Sequence, residues 1–128
     1  MKKEIIIFMK TLFIAQSLKR EIETDGEYRS AIISEYENPD VMFLDKYPSV
    51  IILEAKGGLS FPIYKSIHIC EKLKTAFSMS HILLFITANN YKNAFPEIIN
   101  ARRNNFIDAF LTADSGLDEV MATIKSLA

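Results

Sequence analysis

The sequence has little of several residue types whose presence would indicate a particular class of protein. One of its 128 residues is a cysteine, Cys70, which excludes a fold held together by internal disulfides. The formal net charge of −1 argues against binding nucleic acid through overall charge. No spacing of Cys and His resembles a metal site. These absences are typical of a cytoplasmic protein without a bound metal.

Long apolar runs are also missing. The N-terminal run over residues 5–9 stops at Lys10, far short of the roughly 18 apolar residues that span a membrane. Two lysines precede it, as in a signal peptide, but no small-residue cleavage site follows. We interpret this run as a first strand and expect no membrane association.

The rest of the chain alternates short apolar runs with amphipathic stretches. Ile14, Leu18 and Ile22 recur every four residues, which is the spacing of one helix face. The predicted strands cover residues 5–9, 28–34, 50–54, 81–87 and 109–112, and the predicted helices cover residues 11–23, 39–47, 62–74, 95–103 and 116–127. Strand and helix alternate five times. This order predicts an α/β fold with a doubly wound parallel sheet and helices on both faces, in a single domain over residues 1–128.

Polar residues at the helix ends support three of these boundaries. Asn38 followed by Pro39 is a favourable helix start. Asn104-Asn105 is expected to close the fourth predicted helix in a left-handed conformation. Asp114-Ser115 is expected to cap the last helix.

Glu54 ends a strand with an uninterrupted apolar run, Val50 to Leu53, and the Gly57-Gly58 turn comes shortly after it. An uninterrupted apolar run predicts a strand that is buried on both faces, as in the middle of a parallel sheet. Ligands bind such sheets at the carboxyl ends of the strands. Glu54 is therefore at the position where a functional acid is expected.

The chain resembles the receiver domain of two-component response regulators. The passage from Asp108 to Val120 is similar to the family's last strand and helix, with Phe110 at the aromatic switch position. Thr87-Ala88 also matches the family's pattern after the fourth strand. The resemblance implies a flavodoxin-like, receiver-like fold of five parallel strands in the order 2-1-3-4-5.

The residues at the family's phosphorylation pocket differ from the family pattern. Receivers have two acids after the first strand, an aspartate phosphoacceptor after the third, a Thr or Ser after the fourth and a lysine after the fifth. The corresponding residues here are Met9 and Lys10, Glu54, Thr87, and Ala113. Phosphorylation needs a carboxylate nucleophile and a hard cation held by oxygens. The resemblance therefore implies a degenerate pocket without a metal, a cofactor or catalytic residues.

Three interpretations of this pocket remain open. In the first, Lys10 pairs with Glu54 and replaces the metal–aspartate arrangement. In the second, Glu54 mimics a phosphorylated aspartate, draws in Thr87 and keeps Phe110 buried. In the third, the side chains point to solvent and the pocket has simply decayed.

We expect a phosphorylation-independent, receiver-like signalling module rather than an enzyme. By the resemblance, it would bind a protein partner or a second copy through residues 94–104, 109–112 and 115–127, and would not bind nucleic acid. The alternative is a small flavodoxin-like enzyme or cofactor-binding domain that uses Glu54 and Lys10 at the carboxyl edge of the sheet. A phosphorelay receiver that still accepts phosphate is the third hypothesis.

Overall fold

The computed structural model describes residues 2–37, 47–58, 61–89 and 91–128. Strands and helices alternate along most of these residues, as predicted. In chain order the elements are β1 (Lys3–Phe8), α1 (Leu12–Thr24), β2 (Tyr28–Ile33), β3 (Val50–Ala55), α2 (Ile63–Ala76), β4 (His81–Ile86), a 3₁₀ helix (Tyr91–Ala94), α3 (Phe95–Arg103), β5 (Ala109–Thr112) and α4 (Leu117–Leu127). The helix predicted after Asn38 lies outside the described residues.

The five strands form one parallel sheet in the order β2-β1-β3-β4-β5. Ile7 lies opposite Ile32 on one side and Ile52 on the other, and Ile52 lies opposite Leu83. Apolar residues are thus in register across the sheet, which buries both faces of the central strands. The predicted flavodoxin-like fold is confirmed.

Alternation of side chains along the strands divides the core into two layers. In β3, Ile51 and Leu53 join the cluster that α2 and α3 cover. Val50 and Ile52 point the other way and join the cluster that α1 and α4 cover. Helices therefore pack on both faces of the sheet. Because side chains two residues apart share a face, Glu54 projects to the side of α1 and α4.

The central and outer strands differ in burial. Every residue of β3 is buried, whereas every residue of β5 is half-buried because β5 lies at an open edge of the sheet. Cys70 is fully buried on α2, and burial raises the pKa of its thiol. In the described part of the chain, no helix is both long enough and apolar enough to cross a membrane.

The helix ends confirm one of the predicted boundaries and correct another. Asn105 follows α3 with φ 63°, the left-handed conformation that was predicted there. The prediction that Asp114-Ser115 caps the last helix was wrong: Gly116 is the N-cap, and no side-chain hydrogen bond caps it. The main-chain N–H groups of Glu119 and Val120 instead donate to the carbonyl of Gly116.

Candidate functional site

The carboxyl ends of β1, β3 and β4 lie side by side, and the residues that follow them form the candidate site. Lys10 and Thr11 lie in the turn between β1 and α1, and Thr87 directly follows β4. Glu54 is the fifth residue of β3 and lies opposite Phe85 of β4. We call Lys10, Thr11, Glu54 and Thr87 the Glu54 site.

The Glu54 carboxylate accepts four hydrogen bonds from neutral donors. Its Oε1 accepts the main-chain N–H groups of Lys10 at 2.7 Å and Thr11 at 3.0 Å. Its Oε2 accepts the hydroxyls of Thr11 and Thr87, each at 2.6 Å. A carboxylate offers about four acceptor positions, so the hydrogen-bonding capacity of Glu54 is filled. Glu54 is also 0% exposed.

These bonds determine the ionisation of Glu54. Burial raises the pKa of a carboxyl group because it disfavours the charged form. The hydrogen bonds from Thr11, Thr87 and the main-chain N–H of Lys10 outweigh burial and leave the pKa of Glu54 below its ordinary value. Glu54 is therefore a buried carboxylate ion at neutral pH, bonded by main-chain N–H groups and threonine hydroxyls.

The predicted ion pair between Lys10 and Glu54 was wrong. The Lys10 ammonium pairs instead with the Glu37 carboxylate and donates to the carbonyl of Ser34 at 3.4 Å. The main chain of Lys10, not its side chain, contacts Glu54. The Lys10 side chain keeps 25% of its surface exposed. This arrangement is favourable because the partly exposed ammonium keeps some of its hydration, which it would lose if it were buried beside Glu54.

Residues 34–37, which follow β2, lie beside the site, and we call them the cover segment. The Tyr36 side chain is 1% exposed, and its hydroxyl donates to the main-chain carbonyl of Glu54 at 3.1 Å. Burial raises the pKa of Tyr36 above its ordinary range. The ring lies 5.8 Å from that of Phe8 and 6.0 Å from that of Phe61, measured between centroids. Tyr36 therefore joins the cover segment to the hydrophobic core and to β3.

The Lys10 ammonium lies near two aromatic rings. It lies 5.2 Å from the centroid of the Tyr36 ring and 5.8 Å from that of Phe61, within reach of cation–π attraction. The hydrogen bond from Lys10 is the main reason that the pKa of Glu37 is lowered. Lys10 thus links the turn after β1 to the cover segment.

The remaining predicted pocket residues are not among the hydrogen-bond donors to the Glu54 carboxylate, which are Lys10, Thr11 and Thr87. Met9 is buried in the core cluster that α1 and α4 cover. Ala113 is exposed after β5, where its main-chain N–H donates to Ile86. Phe110 is half-buried and packs edge-on against Phe95, with 5.9 Å between the centroids. Of the predicted residues, the structure brings Lys10, Glu54 and Thr87 together.

Sequence reasoning missed Thr11 and Tyr36 as part of the site. Thr11 had a usable signal: it follows the first strand at the start of a helix, where threonine often bonds to nearby groups. Tyr36 had none, because a tyrosine after a strand does not indicate which carbonyl its hydroxyl reaches. Among the described residues, no group of three or more His, Cys, Asp or Glu side chains is arranged to hold a metal ion.

No protein-family model matches the sequence, and no curated protein sequence matches it. Solved structures do match along almost the whole chain. A response regulator from Thermotoga maritima has a TM-score of 0.78 and 8% identity, over 99% of this chain and 98% of that one. A CheY-like response regulator receiver domain protein from Methanospirillum hungatei JF-1 has a TM-score of 0.75 and 15% identity, over 98% and 93%. The chain has the receiver fold.

A third match shows how far this likeness extends. An adenylate cyclase from Rhodopirellula baltica has a TM-score of 0.75 and 16% identity, over 98% of this chain and 87% of that one. Structures with different names therefore share the receiver fold with this chain. At such low identity the likeness establishes the fold, and the function depends on the site.

Proposed function

We propose that this chain is a receiver-like signalling domain that binds a protein partner without being phosphorylated. The observation that carries the proposal is the buried carboxylate of Glu54, whose acceptor positions are filled. It accepts four hydrogen bonds and has no exposed surface.

A carboxylate nucleophile has to reach the phosphorus atom of its donor. Both carboxylate oxygens of Glu54 accept hydrogen bonds, and the Tyr36 hydroxyl donates to its main-chain carbonyl. An attack on a phosphodonor would require at least one of these hydrogen bonds to break. The position of the second family acid is taken by Lys10, whose positive charge disfavours a divalent cation nearby. These features support phosphorylation independence.

The contact between Glu54 and Thr87 supports a single fixed state of the site. The Thr87 hydroxyl donates to Oε2 of Glu54 at 2.6 Å, so the end of β4 is tied to the end of β3. In this proposal Glu54 takes the role that a phosphorylated aspartate has in an active receiver. It does so with one negative charge, less than a phosphoryl group carries. Phe110 then remains packed against Phe95 and does not switch.

The partner surface in this proposal is formed by α3, β5 and α4, over residues 94–104, 109–112 and 115–127. Phe95 and Leu117 are each 42% exposed there, and β5 is an open edge. Arg102 and Arg103 are exposed at the end of α3. Apolar side chains beside arginines are typical of protein interfaces. The partner is a different protein or a second copy of this chain.

The proposal also includes the domain organisation and the cellular compartment of the protein. Residues 1–128 act as one domain, and the domain works in the cytoplasm without binding nucleic acid. Supporting features are the near-neutral charge and the lone buried thiol of Cys70.

The geometry does not support the alternative of a small enzyme that uses Lys10 and Glu54 as an acid–base pair. It needed the side chains of Lys10 and Glu54 next to each other, whereas the ammonium pairs with Glu37 and the carboxylate is bonded by neutral donors. A proton shuttle needs a group within hydrogen-bond reach of its substrate. Glu54 is buried and has no free acceptor position for one.

Treatment with a small phosphodonor and Mg²⁺, followed by intact-mass measurement, tests the proposal. We expect no added phosphoryl group on the native protein. Glu54→Gln is the matched control, because it removes the carboxylate and keeps the shape of the side chain. A phosphoryl adduct that forms on the native protein and is lost in Glu54→Gln would refute phosphorylation independence.

A further inference from the structure

A cleft of about 340 Å³ lies between the turn after β3 and the start of α3. This volume is within the range of about 300–1,000 Å³ that is usual for ligand pockets. The residues that line it and carry the argument are Gly57, Gly58, Pro62, Tyr64, Asn93 and Glu97. Neither the fold nor the Glu54 site accounts for this cleft, since Glu54 projects to the opposite face of the sheet.

The cleft has bare main chain on one side and an aromatic ring on another. Gly57 and Gly58 have φ values of 77° and 117°, where side chains are rarely accommodated. Gly57 and Gly58 therefore place no side chain in the cleft. Tyr64, at the start of α2, is 63% exposed. The exposed Tyr64 ring and Pro62 form an apolar wall of the cleft.

The charge in the cleft comes from Glu97. It lies in the first turn of α3, is exposed, and makes no ion pair with any residue that the structure describes. The other lining residues are uncharged at neutral pH, and Asn93 adds an amide. Lys56 and Lys92 are close in sequence to lining residues but do not line the cleft themselves. The cleft is therefore apolar with a single unpaired negative group.

We infer that this cleft binds an arginine side chain of a partner protein. A guanidinium group stacks on an aromatic face and bonds a carboxylate through two parallel N–H groups. Tyr64 supplies the face, and Glu97 supplies the carboxylate. The aliphatic part of an arginine side chain suits the apolar wall at Pro62. Charge complementarity excludes an acidic ligand, because Glu97 would repel it.

An arginine-containing peptide tests the inference on the whole protein. The probe is acetyl-Gly-Arg-Gly-amide, added to isotope-labelled protein and followed by two-dimensional NMR. Saturable shifts are expected at the main-chain amides of Gly57, Gly58 and Asn93. The same peptide with citrulline in place of arginine keeps the shape without the charge, and it is expected to bind at least about tenfold more weakly, a change of about 1.4 kcal/mol.

Two substitutions locate the binding. Glu97→Gln is expected to weaken binding of the arginine peptide by about tenfold or more. Glu119→Gln is the matched control, because Glu119 is an exposed acid in the first turn of α4 and lies outside the cleft. It is expected to leave the binding unchanged. Tyr64→Ala removes the stacking surface and is expected to weaken binding with Glu97 intact.

Several results would overturn the inference. These are equal binding of the citrulline peptide, an unchanged affinity in Glu97→Gln, or shifts at the same amides on adding inorganic phosphate. Shifts at these amides that depend on protein concentration alone would assign the cleft to a second copy and would also overturn it. None of these outcomes bears on phosphorylation at Glu54, so this inference and the proposed function fail separately.

Discussion

Two carboxylates at opposite edges of the same sheet are stabilised in different ways. Glu54, at the carboxyl edge, is fully buried and bonded by two main-chain N–H groups and two threonine hydroxyls. Asp108, before β5 at the amino edge, has a side chain that is 24% exposed. It accepts the Lys74 ammonium at 2.9 Å and the N–H of Ile82 at 2.8 Å, and it lies 3.5 Å from Nδ1 of His81.

Both environments keep the carboxyl group ionised. In each case burial raises the pKa, and the partners outweigh it and lower the pKa below its ordinary value. At Asp108 these partners are the N–H of Ile82 and the positive charge of Lys74. At Glu54 they are neutral dipoles that the fold holds in place. The charge of Glu54 is thus stabilised by dipoles, whereas that of Asp108 is stabilised partly by a counter-charge.

The largest expected effect on the free energy of unfolding comes from removing the Glu54 carboxylate, and the removal of Asp108 is its comparison. Glu54→Leu leaves two N–H groups and two hydroxyls without an acceptor in a buried place, and we expect the free energy of unfolding to fall by about 3–5 kcal/mol. Asp108→Leu should cost less, about 1–2 kcal/mol, because the Asp108 and Lys74 side chains are partly exposed and water can hydrate the ammonium. Urea unfolding curves measure both. Equal losses in the two variants would contradict the difference that we draw between the sites.

Acid should destabilise the protein through both carboxylates. A group whose pKa is lower in the folded state contributes stability above its unfolded-state pKa, and this contribution is lost as the pH falls through the folded-state pKa. The ordinary values are 4.5 for Glu54 and 3.8 for Asp108, and both are lowered in the fold. We therefore expect the free energy of unfolding to fall as the pH drops below about 5.

Unfolding at a series of pH values separates the two groups. Glu54→Gln should reduce the acid-induced loss of stability, because Glu54 no longer titrates, while Glu23 and Glu37, whose pKa values are also lowered, keep their contributions. Added salt should weaken the Asp108 contribution more than the Glu54 contribution, since an ion pair that is partly exposed is screened. A Glu54→Gln variant with the same pH profile as the native protein would contradict the lowered pKa of Glu54.

The smallest expected effect is that of the Lys10 side chain. Lys10→Met removes the ion pair with Glu37, whose side chain is 46% exposed, so the free energy of unfolding should change by less than about 1 kcal/mol. The main-chain N–H of Lys10 still reaches Glu54. If Lys10 were a charge partner of Glu54, its loss would leave a buried charge unpaired and cost about 3–5 kcal/mol. Thermal and urea unfolding of this variant decide between the two.

The fold was predictable because its signals are local. The apolar run over residues 50–53 predicted a central strand, and the repeats of four at Ile14, Leu18 and Ile22 predicted α1; the structure has both. The bounds predicted for α3 and β5 agree with the structure. The cap of α4 was wrong because several polar residues precede that helix, and only the course of the chain determines which one begins it.

Only part of the Glu54 site was predictable. The sequence by itself placed Glu54 and Thr87 at the carboxyl ends of neighbouring strands, because the end of a buried apolar run is visible in a sequence. The sequence also showed that Met9 and Lys10 stand where the family has two acids after the first strand. The hydrogen bonds that occupy the Glu54 carboxylate were not predictable. Two of them come from the main-chain N–H groups of Lys10 and Thr11, whose direction is set by the start of α1.

The partner of Lys10 was decided by the tertiary structure alone. Lys10 and Glu37 are 27 residues apart, and Tyr36 and Glu54 are 18 apart. A long, flexible side chain takes the partner whose contact costs the least hydration, and that choice depends on what surrounds it. The sequence determined the sheet and the acid at its edge, since both follow from local patterns. The cover segment and the uncharged surroundings of Glu54 arose only when distant parts of the chain packed together.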